Sequence, residues 1–531
     1  SFILAESLDK MRDLSGKELG IMTAITGLYG LVNAFSDKLF VPSIYGAFGL
    51  LAATLIMLFL LNSDKITFSK KQFRGIVLGM TALVIFLNAK WFITSGDDSY
   101  THLDTYVSAG DSKKKISGTA LKHLDEVPGA DTDEFYRSTN LVTTGNLRSS
   151  SLLYGYNDVS TFSSTLNGGI VNYNNAMGNC RWNIVSIYDY NFRTYLNTLA
   201  SVKYMGVAKK NTATIPYGYK KVQETKNKYY SIYENQYSLP LGYTYDKIVN
   251  ADRIDQYSAA EKQETTMLAA IVEDKDMDKN SNLTVATKLP LTAQKLKIKN
   301  IKLNGVSMTK DTIEIEKPGA TMKFSFEAPA NAETYLSLVG DIYAEKDAKE
   351  HFITARIKAP GVKYGHKFRI DAYTTGQKEY LFNLGYREGA VKTCTLKFVG
   401  TGTLKYKDLA IYSQTMSNYA DRVNALKENS LQNAKAEKNT VTGNITVDKD
   451  KMLVVTLPYQ KGWTAYVDGK KTDIQRVNYQ YIGINLKKGT HDIKLHYQLP
   501  GIKLAFMITG CGIIAFVAII IFNIVRKRRK N

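Results

Sequence analysis

The sequence is poor in cysteine, with three in 531 residues. Cys511 sits inside an apolar run, so Cys180 and Cys394 are the only pair that could join, and no disulfide framework can carry the fold. Also missing are a Walker loop, a His-x-x-His spacing and a Gly-x-Ser-x-Gly elbow. Those absences remove the sequence signatures of phosphate-loop enzymes, helical metal sites and elbow-type hydrolases. His491 and His496 stand five apart on one strand, so they point to opposite faces and read as structural residues, not a metal pair. Many Asp and Glu residues could supply a pair of hydrolase carboxylates, but no spacing selects among them. A cleavable signal pattern is lacking too. The chain begins at Ser1, and the mildly amphipathic stretch Ser1–Gly16 reads as a cytoplasmic connection from an earlier part of a longer polytopic protein.

What is present starts at the other end. Leu504–Val525 is an uncharged apolar run followed by Arg526-Lys527-Arg528-Arg529-Lys530. A helix rising 1.5 Å per residue needs about 20 apolar residues to cross roughly 30 Å of hydrocarbon. The basic tail should stay in the cytoplasm, so the chain upstream of Leu504 is expected outside. Phe40–Leu61 and Ile76–Ile93 are also long enough to span. The Asn62–Gly75 loop between them carries Lys65, Lys70, Lys71 and Arg74 and is expected inside. A weaker segment, Leu19–Phe35, follows Lys10, Arg12 and Lys17 and would run outward. Lys90 and Trp91 suit the outer end of their helix, and Asn88 suits a hydrogen bond between helices. Asp97-Asp98 reads as a helix-end turn, with a metal-phosphate headgroup site as the sharper alternative. Residues 19–95 are thus expected to hold three transmembrane helices after a cytoplasmic segment, 1–18, and residues 96–500 to be extracytoplasmic.

The external block is too long for one domain. Residues 96–260 mix helical and extended patterns, rich in Tyr and Asn, and read as α+β. Asn191–Val207 places Phe192, Leu196 and Leu199 at helical spacing before a short strand. Residues 282–412 hold repeated alternating runs (LKIKNIKL, TMKFSFEA, HFITARIKA, CTLKFVG) broken by Asn-Gly, Pro-Gly and Gly-Thr-Gly turns. That spacing predicts an antiparallel, jelly-roll-like β-sandwich. Residues 417–430 read as a connecting helix, with Ser417 as N-cap and Tyr419, Val423 and Leu426 on one face. Residues 439–500 read as a small membrane-proximal β-module before the transmembrane helix 504–525 and the basic tail 526–531, with tight turns at Asp468-Gly469 and Lys488-Gly489.

A formal net charge of +20 fits either plain solubility with inward-facing basic loops or an outer face working beside a polyanion. Nucleic acid is excluded as a partner, because the lysines are scattered and the compartment is external. Asn167–Phe192 is the best local candidate for a binding surface. There Tyr173, Trp182 and Tyr188 interleave with Asn174, Asn175, Asn183 and Arg181, the residue types that cover sugar C–H faces and pair with hydroxyls. The competing reading is an aromatic-packed core with Asn in its turns.

Several stretches resemble the YfhO family of bacterial multi-spanning membrane proteins. They are Phe135-Tyr136-Arg137, LLYGYNDVSTFSS (Leu152–Ser164), LASVKYM (Leu199–Met205), YSIYENQYSLPLGYTYD (Tyr230–Asp246), LPYQKGWTAYVDGKK (Leu457–Lys471) and KKGTHDIKLHYQLPGIKL (Lys487–Leu504). All match that family's C-terminal half in order and in position relative to the membrane. The resemblance implies a multi-spanning α-helical membrane protein, the C-terminal helices of a GT-C-like bundle, with a large extracytoplasmic α+β and β-sandwich region. It implies transfer of a sugar from a polyprenyl-phosphate-sugar lipid to an anionic cell-wall polymer, such as a Gram-positive teichoic acid, in a cell membrane shared with proteins of the same pathway. It names no cofactor, and it places the catalytic acidic residue in an early external loop upstream of this segment. Arg137 and Arg181, with Tyr173, Asn174 and Trp182, are then the acceptor-contact candidates, since guanidinium pairs well with phosphate. The alternative is a non-catalytic, membrane-anchored sugar- or polymer-binding surface protein.

Overall fold

The computed structural model describes residues 14–34, 49, 52–60, 69–94, 120–130, 134–141, 149, 151–208, 215–224, 230–341, 352–369, 376–390 and 392–529. Two compact units are present, Ser1–Lys115 and Ile116–Asn531.

In the first unit, helices Gly16–Ala34 and Lys70–Thr94 each begin at a reciprocal cap. Glu18 N donates to Ser15 Oγ while Ser15 N donates to Glu18 Oε2, and Ser69 and Gln72 repeat the arrangement. Residues 52–60 are helical, and Leu19, Leu55, Leu58 and Phe73 bury against one another. Most of Phe40–Leu61, much of the Asn62–Gly75 loop and all of Asp97-Asp98 lie outside the described residues. So do the side chains of Asn88 and Trp91.

The second unit is built from strands. Residues 294–415 form two larger antiparallel sheets and a three-stranded one of Val306–Met308, Thr312–Ile315 and Gly402–Lys405. Four strands (Gln294–Leu296, Asp408–Thr415, Ala332–Val339, Glu379–Arg387) face five (Lys299–Asn304, Thr321–Ser325, Thr393–Val399, Phe352–Ala359, Val362–Arg369). Between them lie Met322, Phe324, Leu336, Leu338, Ile353, Ile357, Phe382, Leu396 and Ile411. Cys180 and Cys394 are buried in this same core as free thiols.

The segment 439–500 is not a separate module. Its strands divide between a seven-stranded sheet, shared with Gly242–Tyr245, Lys247–Asn250, Ala270–Val272 and Thr284–Val285, and a five-stranded antiparallel sheet of residues 432–497. Strand Lys451–Pro458 shows why. Its period-2 alternation places Met452 and Val454 in one core and Leu453 and Val455 in another, so it needs cover on both faces. One cover is the five-stranded sheet. The other holds helices Gly168–Ala176, Thr194–Leu199 and Tyr419–Lys427 with Tyr173, Tyr195, Tyr243, Tyr245 and Tyr481. In the five-stranded sheet, Asp468 and Gly469 both have positive φ, as a two-residue hairpin turn between Trp463–Val467 and Lys470–Thr472 demands. Tyr419, Val423 and Leu426 are buried, but Asn418 rather than Ser417 takes the N-cap position, with no side-chain bond to the helix.

The expected fold class, a multi-spanning α-helical membrane protein, is overturned. The described chain is predominantly β, and among the described residues one helix, Ile502–Arg526, is long and apolar enough to cross a membrane. That expectation took its class from the apolar runs in residues 19–95 and from the family resemblance, whereas period-2 strands make up more of the described chain than helices do.

Several elements of this unit meet at one carboxylate. Glu264, fully buried at the end of helix Ala259–Thr265, accepts from Thr292 N (2.7 Å), Thr292 Oγ1 (2.8 Å), Ala293 N (2.8 Å) and Gln414 Nε2 (3.2 Å). Arg422 Nη1 donates to it at 2.5 Å, and Arg422 Nη2 donates to Pro290 O at 2.9 Å. Removing one partner of a buried pair strands the other charge. Arg422→Met is therefore expected to lower stability by about 3–5 kcal/mol in urea unfolding of the detergent-solubilised chain. Arg422→Lys should recover only part, lacking the fork that reaches both acceptors. A loss below about 1 kcal/mol for Arg422→Met would show that the pair does not hold the elements together.

Candidate functional site: a basic, aromatic cleft

The Asn167–Phe192 stretch faces inward. Asn167 caps helix Gly168–Ala176 by accepting from Gly169 N at 2.7 Å. Tyr173 and Asn174 are 1% and 0% exposed. Tyr173 packs on Tyr190 and Tyr481 at ring separations of 5.9 and 5.7 Å. Asn174 accepts from Asn179 Nδ2 at 2.7 Å, and Asn179 Nδ2 also donates to Asp189 O. Trp182 is buried, and its indole N–H donates to Gln377 Oε1 at 2.9 Å. Arg181 lies against Tyr188 and is held by Asp189 at 3.0 Å. These residues are brought together, but as a hydrogen-bonded layer between helix and sheet.

The same layer contains an acid with displaced chemistry. Glu333, fully buried, accepts from Asn383 Nδ2 (2.7 Å) and Thr194 N (3.1 Å), with Arg193 nearby. Burial outweighs these donors and pushes its pKa from the ordinary carboxylate value of 4.5 up to about 7.

Arg137 stands elsewhere, at the head of strand Arg137–Leu141. Its Nη1 donates to Ala200 O (3.0 Å) and Thr456 Oγ1 (2.9 Å), and its Nη2 donates to Thr456 O (2.7 Å). The guanidinium lies 4.9 Å from the Phe135 ring centre, and burial lowers its pKa. It clamps this strand to Lys451–Pro458 and fixes the two residues before it. Those residues, Phe135 and Tyr136, form the wall of a cleft of about 350 Å³, which Lys203, Pro240, Lys427, Gln432 and Asn433 also line.

Local patterning explains the lining. Strand Val202–Ala208 pairs in parallel with Arg137–Leu141, so Val202 and Tyr204 point into the protein and Lys203 points out. Lys203 Nζ lies 5.5 Å from the Tyr136 ring centre and 5.2 Å from that of Tyr204. The two rings meet edge to face at 5.3 Å, and Tyr136 OH donates to Ala130 O at 2.6 Å. Lys427 ends helix Tyr419–Lys427, and partial burial lowers its pKa. Leu431 N donates to Gly242 O (2.9 Å) and Ser201 Oγ to Pro240 O (2.8 Å), which closes the floor. Two ammonium groups, ring faces and amides make a binding surface for an anionic, hydroxyl-rich ligand, and Glu134 is the one carboxylate in the lining.

A larger cleft of about 560 Å³ holds Asp255, Glu261, Glu379 and Asp408, of which Glu261 is committed to Ser258, Glu379 to Ala259 N with Ser337, and Asp408 to Lys295. Among the described residues, no group of three or more His, Cys, Asp or Glu side chains could hold a metal ion.

A family model described as bacterial membrane protein YfhO matches residues 1–509. The chain belongs to the YfhO family. It is 26% identical over 554 residues to the YfhO protein of Bacillus subtilis (strain 168), and the match covers 99% of this chain and 58% of that protein. The chain thus spans little more than half the length of this relative. Among solved structures, arabinofuranosyltransferase AftD from Mycobacteria matches 92% of this chain and 56% of its own length at 9% identity and a TM-score of 0.23. The carbohydrate-binding module CBM35 from Paenibacillus barcinonensis matches 23% of this chain and 97% of its own length at 10% identity and a TM-score of 0.15. At such TM-scores neither likeness carries an argument about fold or activity.

Three of the stretches that resemble the family, Phe135-Tyr136-Arg137, Leu199–Met205 and Tyr230–Asp246, come together at the cleft. Sequence reasoning singled out those stretches but not Lys203, Lys427, Gln432 or Asn433 as site residues, because segments up to 300 positions apart supply the lining. The period-2 position of Lys203 was the one available signal.

For Glu333 the sign follows from the native state keeping a proton that the unfolded chain has lost. Its contribution is full below about pH 4.5 and disappears as pH rises through 7. Between pH 5 and pH 8 the chain is expected to lose about 3 kcal/mol from this group, and Glu333→Gln should remove that part of the slope. Equal slopes in parent and variant urea titrations would count against this placement.

Proposed function

We propose that this chain is the acceptor-binding part of a membrane glycosyltransferase. That enzyme takes a sugar from a polyprenyl-phosphate-sugar lipid and adds it to an anionic cell-wall polymer such as teichoic acid on the outer face. Residues 96–500 are extracytoplasmic, and the basic end of the terminal helix is inside. The reading is carried by the cleft, where Lys203 and Lys427 can meet polymer phosphates while Phe135, Tyr136 and the amides of Gln432 and Asn433 can meet sugar rings and hydroxyls. Membership in a family of bacterial membrane proteins supports the location. Arg137 then acts behind the wall, holding Phe135 and Tyr136. Arg181, Tyr173, Asn174 and Trp182 support the layer beneath and do not touch the acceptor.

One observation favours a second reading, the non-catalytic binding protein: the cleft offers cations and a single carboxylate, not a pair for acid–base work. Two measurements separate the readings. Lys203→Gln with Lys427→Gln should weaken binding of a glycerol-phosphate polymer about 10-fold at low salt, and the parent should show the steeper salt dependence. Unchanged binding would remove the cleft from both readings. Deletion of the full-length gene should lower the sugar content of wall or membrane teichoic acids. Unaltered sugar alongside intact polymer binding would leave the binding protein alone.

A further inference from the structure

The strand Gly489–Tyr497 runs into the terminal helix Ile502–Arg528 with almost no linker. Gln498 N donates to Gly462 O at 3.0 Å, Tyr497 N donates to Asn439 O at 2.8 Å, and Ile502 N returns to Leu499 O at 3.2 Å. Asn439 Nδ2 adds a bond to Tyr497 O at 2.8 Å. The exit is therefore strapped on both sides by loops of the five-stranded sheet. Gly462 has φ of +111°, and a Cβ there would stand 2.4 Å from Gln498 O, so this loop lies directly on the exit peptide. Trp463 pairs with Tyr497, and their rings lie 5.2 Å apart.

This geometry fixes the height of the sheet above the bilayer. The apolar run begins at Leu504, so Tyr497 and Gln498, with the loops bonded to them, stand within about 20 Å of the hydrocarbon edge along the chain. The headgroup layer occupies roughly 5–8 Å of that distance. The residues at this end suit such a surface. Lys438 and Lys461 are each the exposed neighbour of a loop residue bonded to the exit, and Lys503 is exposed on the first turn of the helix. Among the described residues none of the three lysines is ion-paired, and Glu437, the exposed sequence neighbour of Lys438, is a carboxylate. Leu499 is 56% exposed at the same level.

We propose that this end of the sheet is a lipid-contacting foot. Lys438, Lys461 and Lys503 gather anionic headgroups, Leu499 enters the interface, and the strapped exit makes the foot and the spanning helix one body. The occupant is the bilayer surface, because the strand that carries the foot continues into the helix that crosses it. The proposal is independent of the cleft and of any transferase activity.

The full chain, reconstituted in nanodiscs of phosphatidylcholine alone or with about a third phosphatidylglycerol, is followed by amide hydrogen exchange. Each lysine near an anionic surface shifts the equilibrium on the order of 5-fold. Exchange in residues 459–463 and 497–501 should therefore slow at least 10-fold in the anionic discs, and the difference should fade in about 0.5 M salt. The triple variant Lys438→Gln, Lys461→Gln, Lys503→Gln should abolish the difference, and the triple Arg variant should retain it. Exchange in strand Ala332–Val339 should stay constant, which reports that the variants fold. Equal exchange in the two lipid compositions, or a difference that survives the Gln triple, overturns the proposal. So does equal protection in neutral discs by soluble polyphosphate, which would reassign the patch to a polymer.

Discussion

The architecture of the larger unit depends on satisfying one buried carboxylate. Glu264 gathers the backbone of residues 292–293, the side chain of Gln414 and the guanidinium of Arg422. Those partners come from a linker into the sandwich, from a sandwich strand and from the helix that returns to the seven-stranded sheet. An ionised carboxylate in such a place is tolerated only when its lone pairs are filled. Because each donor arrives from a different element, the chemistry of one residue sets the relative placement of all of them. Tyr335 packs with Ala259, Ala260 and Leu381, which ties the helix that carries Glu264 to the same sandwich sheet.

With the frame fixed, the cleft follows. Arg137 joins the first strand of the mixed four-stranded sheet to Thr456 of the seven-stranded sheet, beside the half-buried Phe135 and Tyr136 of the cleft wall. The walls are thus parts of two sheets and the end of a helix, and rigid elements are suited to holding a recognition surface. The cationic character of the cleft comes from side chains at positions that the strand and helix periods leave outside, while the layer below is spent on internal hydrogen bonds.

The strands of the sandwich were legible because alternation was sustained, as in TMKFSFEA, where Met322 and Phe324 turn inward and Lys323 outward. The terminal helix was legible from length and charge alone. The partition of residues 439–500 was not, because MLVVTLPY is apolar on both faces and such a run says only that two covers exist, not which segments supply them. The aromatic and Asn-rich stretch at 167–192 looked like a ligand surface because buried hydrogen-bonding networks and sugar sites draw on the same residue types. Tyr173 and Asn174 take the inward option, and burial is a tertiary property that their spacing did not carry. Lys203 and Lys427 stand more than two hundred positions apart, so their meeting could not be read along the chain.

The seven-stranded sheet pairs Gly242–Tyr245 with Lys451–Pro458, and the whole sandwich of residues 294–415 is inserted between them. A chain made from its N-terminal side presents the first of these partners long before the second. The sandwich, whose contacts are nearer in sequence, can close while the earlier strands wait with unpaired edges. Lys451–Pro458 therefore acts as the keystone of folding order: its arrival converts a stalled half-sheet into a finished one. Until then the rims of Gly242–Tyr245 and its neighbours stay unpaired, and the tempo of synthesis decides how long they remain open.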